Sequence, residues 1–237
     1  MAAIVGNILD VRAAITAELP TGSPAACELV AVSKLKPASA VEGAFSGSEQ
    51  RDFGENFVPE LCQKAREIER AGTSPGIRWH LVGELIDDEI ELLAQCPGLH
   101  LVHSCPSVSA AQLLDSACAK HRTAPLGILL QIATGGSEQS GVDPSDAPTA
   151  AVAVRDSCSS LELRGVMCVG QYGADSTSHY QQLLTAREAV AAALGVQDES
   201  SLLLSMGMSE DFRSAVRLGA THVRVGSTIF GARNGRL

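Results

Sequence analysis

The residues of this chain best suited to chemistry are a lysine that ends an apolar run and two turns near the C-terminus that carry glycine and serine. Lys34 closes the run ELVAVSK that starts at Glu28. An ammonium group at the end of a buried strand is costly, so either it points to solvent or its pKa is lowered for covalent work. The two turns are Gly207-Met208-Ser209 and Gly226-Ser227-Thr228, one helix apart, with Arg224 between them. Glycine lets a backbone approach closely, hydroxyls donate, and a following helix favours an anion, so the pair suits a phosphate. Either turn alone also reads as an ordinary helix cap.

These residues need a frame that brings them together. Residues 202–206 form an apolar run that breaks at Gly207, and Ser209 then stands at a helix N-cap position ahead of Glu210 and Asp211. Phe212, Ala215, Val216 and Leu218 make an apolar face, Gly219 closes the helix, and 221–225 is a β-branched strand. The earlier chain repeats this alternation. After an amphipathic first helix, strands are expected at 28–34, 51–56, 77–83, 99–105, 126–133 and 161–170. Between and after them lie helices at 37–47, 57–71, 86–95, 108–121, 144–158 and 179–194. Eight strands alternating with helices imply parallel pairing, and they fit a closed (β/α)8 TIM barrel with an extra N-terminal helix, one domain over residues 1–237. An open doubly wound sheet is the alternative, but no GxGxxG follows the first strand.

Composition narrows the function. With 45% hydrophobic and 19% charged residues the chain is globular, and a net charge of −9 argues against coating nucleic acid or acidic membranes. Seven scattered cysteines without a CxxC pair indicate reduced thiols, hence a cytoplasmic location, and no metal knuckle. No apolar run approaches membrane-spanning length. Small molecules or proteins are the expected partners, and the chain is expected to be a monomer.

In a barrel the strand ends mark one face, where Lys34, Asn56, His80, Ser209, Arg224, Gly226 and Ser227 converge. A lysine across from a phosphate cup points to a Schiff base with a phosphorylated aldehyde, and pyridoxal 5'-phosphate is the leading candidate. Lys36 shares the parity of Lys34 and competes for the role, but it abuts Pro37 and is expected to lie outside. A barrel aldolase acting on a phosphosugar through Lys34 is the reading without a cofactor.

The segments VAVSKLKP, RDFGENFVPE, IRWHLVG, LSMGMSEDF and VRVGSTIFGAR, in order from Val30 to Arg233, together resemble the pyridoxal phosphate homeostasis proteins. The resemblance implies a barrel like the N-terminal domain of alanine racemase, binding pyridoxal phosphate. It also implies that Lys34 holds the aldehyde, that Ser209, Gly226 and Ser227 hold the phosphate, and that Arg224 faces the pyridine nitrogen. Asn56 and His80 would line the pocket. The function implied is to buffer the cofactor and deliver it to apo-enzymes, in vitamin B6 and amino-acid homeostasis, without robust catalysis. A small amino-acid racemase is the alternative. An arginine at the pyridine nitrogen disfavours its protonation and makes a poor electron sink. No room follows Leu237 for the β domain of alanine racemases, so racemization is not expected.

The chain departs from the family pattern at its rim. Where many members read GxLQxNK after the third strand, this one has Gly83-Glu84-Leu85-Ile86-Asp87-Asp88-Glu89. Where SKxG is common after the fifth strand it has Glu138-Gln139-Ser140-Gly141, and Ala133 replaces the usual asparagine. The acids are either an altered partner contact or a solvated helix face.

Overall fold

The apolar runs become strands because each can bury both faces, one against helices and the other inside a closed sheet. The computed structural model describes residues 2–20, 26–135, 140–170 and 176–231. The strands are β1 (Glu28–Val32), β2 (Asp52–Glu55), β3 (Arg78–Leu81), β4 (Leu99–Cys105), β5 (Leu126–Gln131), β6 (Leu161–Met167), β7 (Leu203–Ser205) and β8 (His222–Val225). They form a closed parallel barrel in sequence order, and β1 seals it by pairing Val30 with Arg224 and Ala31 with Phe53. The expected (β/α)8 barrel is what the chain forms. Most strands are shorter than their apolar runs, since the last residues of each run leave the ladder to build loops.

The helices are α1 (Ala2–Glu18), α2 (Ala38–Ser48), α3 (Val58–Ala71), α4 (Ile90–Ala94), α5 (Val108–His121), α6 (Ala147–Ser157), α7 (Thr177–Leu194), α8 (Phe212–Arg217) and α9 (Ser227–Phe230). Local signals set many of their ends. Ser107 caps α5 by accepting from the Ala110 N–H at 3.1 Å, and Gly72 and Gly195 close α3 and α7 in the left-handed conformation. The helix expected at 86–95 is instead a 3-10 turn at Asp87–Glu89 followed by the five-residue α4. Three adjacent acids repel one another in its first turn, and Pro97 disfavours helix just beyond it.

Alternation along the strands separates two interiors. Leu29, Ala31, Phe53, Trp79 and Leu81 point outward and pack with the helices. Val30, Val32 and Val82 point inward, close enough that a Cβ on Gly54 would press on all three. Inside the barrel Leu101, Leu129 and Met167 make a separate small apolar cluster. Among the described residues no helix is long and apolar enough to cross a membrane. Residues 21–25 of the first expected turn, Glu138 and Gln139, and Arg233 at the end of the last motif lie outside the described residues.

Candidate functional site

A cavity of about 300 Å³ opens among the C-terminal strand ends. That is the lower end of the range for small-molecule sites. Six of the seven residues expected there border it: Lys34, Asn56, Ser209, Arg224, Gly226 and Ser227. Val82, Val169, Met208 and Phe230 supply apolar wall. Lys36 also borders the cavity, contrary to the expectation that it lies outside, because the chain after β1 turns back on itself. The acids Asp87 and Asp88 are exposed and do not line the cavity.

Lys34 stands just past β1, in a turn closed by the Lys36 N–H donating to the Ser33 carbonyl at 3.1 Å. Leu35 takes the third position of that turn with φ 61°, a place that normally calls for glycine. Left-handed backbone on leucine costs about 1 kcal/mol or more, and the Leu35 N–H compensates by donating to Glu60 Oε1 at 2.6 Å. The β2 and β3 exits lie so close that a Cβ on Gly83 would overlap the Asn56 backbone, which is why glycine stands there.

The two serine turns meet. Ser209 Oγ accepts from the Gly226 N–H at 3.2 Å and the Thr228 N–H at 3.5 Å, bridging the ends of β7 and β8. Ser209 is not the cap of α8, as its position implied. That helix starts later, at Phe212, because Asp211 takes over the local bonding: its carboxylate accepts from the Met208 N–H at 2.7 Å and the Tyr180 hydroxyl at 2.6 Å. Gly207, at φ 93°, makes the reversal that carries Ser209 toward Gly226. Both following helices are short, so hydroxyls and backbone N–H groups, more than helix dipoles, would meet an anion here.

Below the cavity the barrel holds a chain of polar residues. Arg224 is 6% exposed, and its Nη1 donates to Ser205 Oγ at 2.6 Å while Nη2 donates to the Cys168 carbonyl at 2.9 Å. Burial lowers its pKa, opposed by Cys168, Tyr180 and Asp211. Ser205 Oγ lies 2.8 Å from His103 Nδ1, His103 Nε2 lies 2.9 Å from His80 Nδ1, and His80 Nε2 lies 2.9 Å from Asp52 Oδ1. One assignment satisfies every member. Arginine can only donate, so Ser205 accepts from it and gives its own proton to His103 Nδ1; His103 then donates to His80, and His80 to Asp52. Burial, with the nearby guanidinium charge of Arg224, holds His103 well below the usual histidine pKa, as this requires. His222 and His100 are pushed down to about 3 and about 4, burial being the largest cause.

His80 is therefore set apart from the other six residues. It is fully buried, two positions short of Val82, and its ring is held by Asp52 and His103 within the barrel. The expectation that it lines the cavity is corrected: strand three leaves the ladder after Leu81, and its first cavity residue is Val82.

The sequence matches the family described as alanine racemase, N-terminal domain, over residues 12–234. A relative in Mus musculus named pyridoxal phosphate homeostasis protein is 40% identical over 223 residues, covering 92% of this chain and 80% of the relative. The chain belongs to this family, among its pyridoxal phosphate homeostasis proteins. The structure of PipY from Synechococcus elongatus with PLP bound superposes with a TM-score of 0.77 at 28% identity, covering 96% of this chain and all of that one. Alanine racemase from Corynebacterium glutamicum, at 18% identity and a TM-score of 0.67, shares the fold over 98% of this chain and 62% of that one.

The residues present fit pyridoxal phosphate. A cavity of suitable volume has a primary amine at one edge, a cup of hydroxyls and N–H groups around Ser209, Gly226 and Ser227, and a donor-only guanidinium at its base. Sequence reading missed Asp52, His103 and Ser205. Their parity along the strands was a signal, since Ser205 lies two positions before Gly207 and Asp52 four before Asn56, but a polar inward residue below the strand end runs against the apolar filling expected of a barrel.

Proposed function

We propose that this protein binds pyridoxal 5'-phosphate in the cavity, holds it through Lys34 as a Schiff base, and buffers and delivers it to apo-enzymes in the cytoplasm, without robust catalysis of its own. The observation that carries this reading is the convergence of Lys34, Arg224 and the Ser209–Gly226–Ser227 cup on one cavity. Bound there, the cofactor supplies an electrophilic aldehyde and a conjugated ring. Lys34 would hold the group through its Nζ, as a Schiff base to the aldehyde carbon with the aldehyde oxygen lost as water. Ser209, Ser227 and the backbone N–H groups beside them bind the phosphate. Arg224 orients the ring from below. Because arginine cannot accept a proton, a ring nitrogen facing it would be the acceptor and stay unprotonated, which would weaken the carbanion chemistry of broad transaminase-like turnover. Seven free cysteines, six of them buried, agree with a reducing compartment.

The test is borohydride reduction of the cofactor-loaded protein followed by peptide mass spectrometry. The adduct is expected on Lys34. An adduct on Lys36, or none, overturns the reading.

A second result separates the phosphate contacts from the rest of the wall. Ser209→Ala removes a hydroxyl placed against two backbone donors, whereas Asn56→Ala trims the wall at the β2 exit. Because bonds to a charged phosphate are the stronger kind, Ser209→Ala is expected to weaken retention by about tenfold, roughly 1.4 kcal/mol, and more than Asn56→Ala does. Equilibrium dialysis of the two variants gives the comparison, and equal affinities would count against the phosphate cup.

A further inference from the structure

Behind the turn that carries Lys34 lies a buried ion cluster that the cavity itself does not use. Glu55 is the outward-facing last residue of β2 and is fully buried. Lys64, on the inner face of α3, is 5% exposed. Its Nζ donates to Glu55 Oε1 at 2.8 Å, to Glu60 Oε1 at 2.6 Å and to the Ser33 carbonyl at 2.8 Å, so all three ammonium hydrogens have acceptors. Glu55 Oε1 also accepts from Ser33 Oγ at 2.6 Å, and Glu60 Oε1 accepts from the Leu35 N–H.

We propose that Glu55, Lys64 and Glu60 are positioning residues for Lys34, a brace that fixes the peptide units on both sides of it and so the direction from which its amine meets the cofactor. The inference rests on the reading of Lys34 as the residue that holds the aldehyde. The hydrogen bonds that join the cluster to the β1 exit are made at Ser33 and Leu35, the two neighbours of Lys34. The carbonyl of one and the N–H of the other are held, so the turn cannot rotate about either flanking peptide without losing a charge-assisted bond.

Holding α3 against the barrel does not require this cluster. Val58, Leu61, Cys62, Ala65 and Ile68 already bury that face, and well-packed apolar groups do as well as a buried ion pair for stability. The second carboxylate oxygen of Glu55 is buried without a hydrogen-bond partner, which a cluster selected for stability alone would avoid. Burial pushes the Glu55 carboxyl up to about 7 against the pull of Lys64. Through Glu60 the cluster also holds the N–H of Leu35, whose left-handed backbone makes the turn that follows Lys34.

The test compares two ligands that differ only at the reacting carbon: pyridoxal 5'-phosphate, and pyridoxine 5'-phosphate, whose alcohol cannot bond to lysine. In Lys64→Met, the aldehyde ligand is expected to bind about tenfold more weakly, and the borohydride-trapped adduct on Lys34 to form about tenfold more slowly, while pyridoxine 5'-phosphate binds within about twofold of the wild type. Glu60→Gln keeps an acceptor for the Leu35 N–H and should stay near the wild type, whereas Glu60→Ala should follow Lys64→Met. That second pair carries the test if Lys64→Met does not fold. Equal losses for both ligands would show a merely structural role, and unchanged aldehyde binding would remove the brace altogether; either result overturns the proposal. If the wild type itself yields no adduct on Lys34, the reading of Lys34 fails and the brace falls with it. If the wild type labels Lys34 and the variants match it, only the brace fails.

Discussion

Lys34→Ala is expected to lower the affinity for pyridoxal 5'-phosphate by about 100-fold, roughly 2.8 kcal/mol, and to abolish the visible band of the lysine-bound cofactor. What remains after the substitution is the grip of the phosphate cup and Arg224, which the mutation does not touch. Phosphate-directed binding should therefore persist, with pyridoxine 5'-phosphate retained at near wild-type affinity. The fold should persist too. Lys34 is only half-buried and lies beyond the last ladder residue of β1, so its side chain contributes little to the core. Titration of wild type and variant by absorbance and calorimetry gives both numbers. An unchanged aldehyde affinity would move the covalent role elsewhere, with Lys36 the nearest amine that borders the same cavity.

The second large effect is on stability. Asp52 anchors the far end of the buried chain, taking Arg78 Nε at 2.6 Å and His80 Nε2 at 2.9 Å. Asp52→Ala leaves a fully buried imidazole donor unpaired, while Arg78, half open to water, resolvates. Breaking a buried pair in this way costs about 3 kcal/mol, which for a chain of this size lowers Tm by roughly 6 to 12 °C. The pH dependence has a definite sign. Burial raises the Asp52 carboxyl, but the hydrogen bonds from His80 and Arg78 and the charge of Arg78 outweigh it and hold it well below the usual carboxylate range. A depressed folded pKa contributes stability above the unfolded value of about 3.9, and that stability is lost as pH falls toward the folded one. The Tm difference between wild type and Asp52→Ala should therefore be full at pH 7 and shrink below about pH 4. A variant as stable as the wild type at pH 7 would show that the chain adds nothing to the fold.

Much of the site was legible because the elements that carry it are short and strongly marked. Strand ends at Lys34, Asn56, Ser209 and Gly226 follow from apolar runs interrupted by polar residues, and eight such runs alternating with helices leave a closed barrel as the economical arrangement. Element ends were less legible. Ser209 has the chemistry of a cap, and only the competing carboxylate of Asp211 diverts it to bridge two strand ends. Pro37 argues for Lys36 lying outside, yet the turn at Leu35 brings it to the cavity.

The sequence by itself determined the barrel, the lysine, the phosphate-like turns and the resemblance that joined them, because these depend on local periodicity and on residue types at strand ends. The tertiary structure alone decided which polar residues meet. His80 pairs with His103 and Asp52 rather than facing the cavity, and Lys64 spans three acceptors from β2, α3 and the β1 exit. The contacts of His80, and that of Lys64 with Ser33, join residues 23 to 31 positions apart. Their energy depends on burial and on distances of a few ångströms, and no local pattern in the chain encodes either.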